Sequence, residues 1–211
     1  TDLGANVTTV GNQTYSGAVT LTGDLILTGT GAGAAINFNN TVDGKHVLTL
    51  DAERVKLSHA VAIKDLSISG DAEINGNVST GSLTIGGKTD LGANVSTDAD
   101  QTYTGAVTLT GDVILAAEDA GAAIHLKDTA DGAHRLELKA DSVQLSGAIG
   151  GTKALAEVVF TKAVTLGVDV TADIQTFMDS LTLNDNVSLN GNITAQTITG
   201  PYNLAVTGNA E

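Results

Sequence analysis

Apolar and polar residues alternate along this chain in short runs, and glycine, asparagine or aspartate closes most of them. Residues 101–115 show the pattern most cleanly. They read as an aromatic anchor, a glycine turn, an alternating strand, a Gly-Asp turn and a second short strand. A period of two sets Val107 and Leu109 inward and Thr108 and Thr110 outward. Similar runs at residues 19–21, 25–27, 35–38, 47–50, 55–57, 66–68 and 83–85 predict many short strands. No stretch has the length and period of an amphipathic helix. Residues 153–160 would allow a helical turn or two, but another strand-bearing coil fits their apolar run better.

The best-defined stretch is written three times. Residues 13–27 nearly duplicate residues 101–115, and residues 175–189 are a worn copy in which Phe177 stands for tyrosine. Tyr15, Tyr103 and Phe177 therefore form one set of repeat anchors, and Leu21, Leu109 and Leu183 another. A register of 88 residues runs without a gap from Thr1 and Thr89 onward, with 37 of the first 60 positions identical. Apolar positions and turn residues persist, while outward positions drift: Asn37 becomes His125 and Thr49 becomes Glu137. Packing constraint beside a free solvent face explains that contrast.

The repeat divides the chain into units at 1–88, 89–163 and a degenerate 164–211, read as one continuous stack. The expected fold is all-β, a parallel β-solenoid (β-helix), in which each coil pairs with the next. At roughly 20–25 residues per coil it would have about nine to ten coils, about four of them in the first unit. Stacked at about 4.8 Å, they make a rod of roughly 45 Å. A sandwich gives an ungapped 88-residue repeat no special role.

Composition narrows the chemistry. Of 211 residues only 3% are aromatic, so the core must be aliphatic. The formal net charge of −14 argues against nucleic acid and anionic membrane surfaces. It suits the solubility of an extended β surface and attracts divalent cations. Without cysteine there is no disulfide, thiolate site or thiol nucleophile. No apolar run approaches the roughly 18–20 residues of a membrane span. Thr1 opens inside the repeat with no signal peptide, which suggests a section of a longer protein or a processed one.

Three motifs carry a family resemblance. They are Gln-Thr-Tyr-x-Gly-Ala-Val-Thr-Leu at 13–21 and 101–109, Asp-Gly-x-His-x-Leu at 43–48 and 131–136, and Ser-Gly-Ala-Ile-Gly-Gly-Thr-Lys-Ala-Leu at 146–155. Together they resemble the repeats of large bacterial exoproteins of the filamentous-haemagglutinin type and related autotransporter adhesins. The resemblance implies secretion, a right-handed parallel β-helix, and work as a surface fibre.

Candidate chemistry is sparse. Asp98 with Asp100, and Asp169 with Asp173, are the candidate calcium ligands. Calcium needs about six to eight oxygens, and neither an Asp-x-Asp-x-Asp-Gly string nor a Gly-Gly-x-Gly-x-Asp array is present. Asp24 and Asp112 recur in Thr-Gly-Asp, where bonding to their own turn backbone is the simplest role. His46 and His134 are repeat equivalents expected about four coils apart, near 19 Å, too far to share a metal. Arginine is limited to Arg54 and Arg135, and no Gly-x-Ser-x-Gly elbow occurs, so an enzyme is not expected. The Thr20/Thr22 and Thr108/Thr110 pairs do not recur coil after coil, which argues against an ordered threonine face. Asn-x-Ser/Thr sequons, as at Asn6 and Asn94, read as buried asparagine ladders or turns, with glycosylation as the alternative. The exchange of Tyr for Phe177 suggests that the ring packs at a corner and the hydroxyl is dispensable.

The expected function is a non-catalytic segment of an extracellular bacterial surface filament or adhesin that self-associates into fibres. A glycan- or host-surface-binding module and a calcium-dependent matrix or sheath protein are the alternatives.

Overall fold

The computed structural model describes residues 1–210. It is a parallel β-solenoid of about 11 turns, with no helix among the described residues. Each turn lays short strands on three faces. Val7–Thr9, for example, lies on the second face and Gln13–Tyr15 on the third. A face strand is so short because only three to five alternating residues fit before a corner residue must turn the chain.

The ladders give each face a continuous inward file. On the first face Val19, Val42, Val61, Val78, Val95, Leu115, Leu138, Phe160 and Phe177 stack one upon another. On the second face the file is Val7, Leu27, Leu50, Ile68, Ile85, Tyr103, Leu126 and Leu145. The third-face file begins Gln13, Ile36, Val55, Ala72, Thr89, Val107 and Ala130. The three files meet in one aliphatic core. Four aromatic rings enter it as stacked pairs, Tyr15 on Phe38 at 4.9 Å and Phe160 on Phe177 at 5.1 Å, and Tyr103 stands between Ile85 and Leu126.

The third face contributes a separate seven-stranded sheet. The first and second faces merge because Val42–Asp51 and Val61–Ile68 round their shared corner without a break. Near the far end Val170–Leu183 and Val187–Thr199 run continuously from the third face across the first to the second. Residues 153–160, weighed above as a helical turn or a coil, contain the strand Leu155–Phe160.

Turns hold 17 to 23 residues: 17 from Val61 to Val78, 23 from Val19 to Val42. They are tighter than the 20–25 expected from turn spacing. Eleven turns therefore fit where nine to ten were expected, because some corners need only two or three residues.

The 88-residue repeat is not a whole number of turns. Val7–Thr9 lies on the second face, but its copy Val95–Thr97 lies on the first. Gln13–Tyr15 lies on the third face and Gln101–Tyr103 on the second. Val19–Leu21 lies on the first and Val107–Leu109 on the third. Each step is five turns less one face, not the four coils expected. The step from Gln101 to Gln175 is four turns less one face, so the third copy of the anchor lies on the first face. The same short module thus builds each face in turn.

Changing face changes a residue's surroundings. Thr1 is exposed at the first turn, whereas its copy Thr89 is inward, 1% exposed, with no partner for its hydroxyl. Its ladder neighbours there are Ala72 and Val107. Thr89→Val keeps the shape and removes the orphaned hydroxyl, whose burial costs about 1–3 kcal/mol. The urea unfolding midpoint of Thr89→Val is expected to rise. Leu50→Ala, which empties a fully buried site, should lose about 2–5 kcal/mol in the same assay.

Candidate functional site

Most corners interrupt the ladders, and the chain fastens them with one recurring motif. An inward apolar residue is followed by two turn residues, an asparagine or aspartate, and a β-branched or leucine residue. Examples are Leu3-Gly-Ala-Asn6-Val7, Leu21-Thr-Gly-Asp24-Leu25 and Leu109-Thr-Gly-Asp112-Val113. The side-chain oxygen accepts a backbone N–H from the next coil. Asn6 Oδ1 accepts from Ile26 at 2.8 Å, and its copy Asn94 accepts from Ile114 at 2.9 Å. Asp24 accepts from Val47 at 2.9 Å, and its copy Asp112 from Arg135 at 3.0 Å. Asn77 and Asn186 accept from Asn94 and Asn203 in the same way.

Asp24 and Asp112 therefore bond the coil above and not their own turn. The asparagines of this motif are exposed corner residues and not a buried ladder. The Val47 N–H holds the Asp24 carboxyl below its ordinary value, with help from His46 at 3.3 Å. Asp141 is likewise held low, first by the Gly121 N–H at 2.7 Å and then by Lys162. The acidic surface is thus partly spent on fastening corners.

Inside the core a second device repeats. The Gln13, Gln101 and Gln175 side chains are buried, at 5%, 0% and 0% exposure. Each amide nitrogen donates to two backbone carbonyls from adjacent segments: Val7 and Thr28, Val95 and Ala116, Val170 and Asn190. Tyr15 and Tyr103 complete the set by donating O–H to Gln13 Oε1 at 2.9 Å and Gln101 Oε1 at 3.2 Å. Phe177 has no hydroxyl, and Gln175 Oε1 is left without a partner. The hydroxyl is therefore a hydrogen-bonding member of the core. The rings lie on strands and not at corners: Tyr103 is wholly buried between Ile85 and Leu126, and burial pushes its phenol well above the ordinary range.

The calcium candidates fall on separate corners. Asp98 and Asp100 are exposed between the first and second faces. Asp100 Oδ1 already accepts the Ala123 N–H at 2.8 Å. Asp169 lies between the second and third faces and accepts the Ser188 N–H at 2.7 Å. Asp173 sits exposed at the next corner, where the ladder slips register after Thr171. Among the described residues no group of three or more His, Cys, Asp or Glu is placed to hold a metal ion.

The histidines follow the rotation of the repeat. His46 lies beside Asp24 where the first face meets the second, and His134 lies 3.6 Å from Asp112 where the third meets the first. They are on different edges of the prism, not stacked on one line. Arg135 is held by Glu137 at 2.6 Å and Glu157 at 2.8 Å. Thr20 and Thr108 are also on different faces.

One interruption stands out. On the second face Ser142–Leu145 pairs below with Ala123–Leu126, and Val164–Leu166 pairs above with Val170–Leu183. No ladder joins Ser142–Leu145 to Val164–Leu166. Between them opens a cleft of about 570 Å³ lined by Ser142, Val143, Leu145, Thr165, Asn184 and Asp185. The first face stays paired at this height through Leu138 and Phe160. The third face is held by single bridges from Ala130 to Ile149 and from Ile149 to Val170. Sequence reading missed this seam, although it falls beside the 163/164 unit boundary, where the second copy has lost residues relative to the first.

Compared with known proteins, the chain matches no family model, and no curated protein or solved structure matches it.

Two tests follow from the polar devices. Phe177→Tyr supplies the missing donor to Gln175 Oε1 and should raise stability by about 0.5–1.5 kcal/mol, read by urea denaturation. Tyr103→Phe should cost about 1–3 kcal/mol, because it orphans the fully buried Gln101 Oε1. For Asp24 the folded carboxyl lies below its unfolded value. Its contribution is present above about pH 4 and is lost as pH falls through the folded value. Asp24→Asn keeps an acceptor, as Asn6 does, so its thermal midpoint should match the natural chain at pH 7 and fall less between pH 5 and 2. Asp24→Ala should melt lower at pH 7.

Proposed function

We propose that this chain is a non-catalytic structural segment of an extracellular bacterial surface filament or adhesin. The observation that supports it best is the repeated coil-to-coil fastening. The recurring residues serve the stack: corner asparagines and aspartates reach the next coil, and buried glutamines tie adjacent segments. A surface that must transmit load along its axis needs this kind of uniform, self-similar connection. The exoprotein-like motifs at 13–21, 43–48 and 146–155 favour the filamentous-haemagglutinin type within that class.

The chain's work is then mechanical. Backbone ladders run parallel to the rod axis, so tension along the rod is shared by the hydrogen bonds of three faces. The aliphatic core resists shear between coils, and the net charge of −14 keeps neighbouring rods apart until a specific contact forms. Self-association into fibres is part of this reading. A glycan- or host-surface-binding module would instead place its specificity in one patch. A calcium-dependent matrix protein would draw acidic corners of neighbouring rods together around the ion.

Negative-stain electron microscopy of the purified chain, with and without a chelator, separates these. Uniform fibres insensitive to chelator are expected. Fibres that dissolve in chelator would establish the matrix reading. Isolated rods of about 50 Å under all conditions, the length of 11 stacked strands, would defeat self-assembly.

A further inference from the structure

The ladders of the first face place one outward residue per coil in a straight file beside the inward one. Its lower half reads Asp43, Ala62, Ser79, Ser96 and Ala116. Lys139 continues it above Ala116, and Thr161, Met178 and Gln196 follow the inward Phe160, Phe177 and the half-buried Ala195. The two halves differ in size. Ala62 and Ser79 are short and line a groove of about 830 Å³ on the edge between the first and second faces, floored by Ala62, Ile63, Gly81 and Ala99. Lys139, Thr161 and Met178 are longer and stand out from the sheet. Met178 is 50% exposed, and Ile174 on the same strand is 47% exposed. The next coil covers that strand along the axis, so both side chains are bare sideways.

Charge divides in a similar way. Residues 163–211 contain no lysine or arginine, and Asp179 follows Met178 at the corner. Beside Ala62, Lys64 is exposed and, among the described residues, takes part in no ion pair. Asp43, Asp65 and Asp98 also line the groove. Asp65 already accepts the Ser82 hydroxyl at 2.8 Å.

We infer that the first face pairs with the same face of a second, antiparallel copy of this chain, about a twofold axis at Ala116. Reversing the file about Ala116 sets long side chains over short ones. Met178 comes over Ala62 at the groove, Thr161 over Ser79 and Lys139 over Ser96, while Asp43 meets the neutral Gln196. Each contact is made twice, as a twofold requires. Asp179 of one copy then faces Lys64 of the other. Glu118, next to the axis, is neutralised within its own copy by Lys139 at 3.0 Å. A parallel pair would set Lys139 level with Lys139 and leave the groove empty. From Asp43 to Gln196 the file runs roughly 40 Å, and Ile174 to Met178 spans about 13 Å across it. The contact buries about 1,000 Å² counted over both copies, the lower bound for a specific interface, so a weak dimer is expected. The inference rests on the self-association in the reading above and gives it a surface. It needs no fibre, because paired rods form with or without end-to-end growth.

Sedimentation velocity of the full chain, from about 1 μM to 1 mM, reads the association. A dimer is expected in that range. Lys64→Asp and Asp179→Lys should each weaken it at least tenfold, and the two together in one chain should restore it. The two positions lie about six coils, roughly 29 Å, apart within a chain, so restoration acts only between copies. Met178→Asp should dissociate the pair as well. These positions are exposed, and thermal midpoints close to that of the natural chain separate lost contact from lost fold. The chain has no cysteine, so Ala62→Cys and Met178→Cys each add a single thiol. A short bismaleimide should join the two variants when mixed and should join neither alone.

An assembly that ignores all three charge-changing substitutions overturns the proposal and leaves self-association standing. Cross-linking of Met178→Cys chains to one another, the mark of parallel pairing, overturns it too. A chain that stays monomeric at about 1 mM overturns both the proposal and the self-association it rests on.

Discussion

Everything in this molecule depends on the inter-coil backbone ladder. A coil of 17 to 23 residues has no core of its own. Its inward side chains are dry only when a neighbour covers them, and its backbone groups are satisfied only when a neighbour pairs with them. The seam shows the dependence directly. Where Ser142–Leu145 loses its upper partner, Val143 and Leu145 become half-exposed although their positions in the file are unchanged.

Corners are the weak points of such a stack, because most of them interrupt the ladder and the strands that do round a corner, such as Val42–Asp51 and Val170–Leu183, slip register there. The corner asparagine or aspartate repairs part of that loss by accepting one N–H from above. Either residue suffices, since both offer an oxygen at the end of a short side chain. Asn12 and its copy Asp100 illustrate the equivalence: they accept from Ala35 and Ala123 in the same geometry, each 23 residues further along the chain. Much of the acidity that reads as cation-seeking in the sequence has this local use. It also ties part of the stack's strength to ionised corner carboxylates, as at Asp24 and Asp141.

The rotation of the repeat follows from near-equivalence of the faces. If the three faces differed strongly, an 88-residue copy displaced by one face would bury the wrong residues. Here it costs little: Leu21, Leu109 and Leu183 occupy the first, third and second faces and are all buried, at 2%, 3% and 3%. The residual strain is visible at two atoms. Thr89 carries a hydroxyl suited to an exposed end into the core, and Gln175 keeps an oxygen whose tyrosine partner has become Phe177.

The fold class, the inward and outward alternation and the repeat anchors are legible in the order of residues alone, because they rest on period-two patterning and local turn chemistry that a short window contains. That order also marked Asp24 and Asp112 as turn residues and left Asn6 and Asn94 open between a buried ladder and a turn. What those turns hold depends on the stacking of coils, since the bonded N–H lies 20 to 23 residues away and on another coil. The turn count, the face that each copy occupies and the separation of His46 from His134 depend on summed coil lengths. Every corner contributes one or two residues of freedom to that sum, so an 88-residue register cannot fix the face. The seam is the extreme case: Ser142–Leu145 and Val164–Leu166 both alternate like good strands, and whether two such strands pair is a property of the space between them.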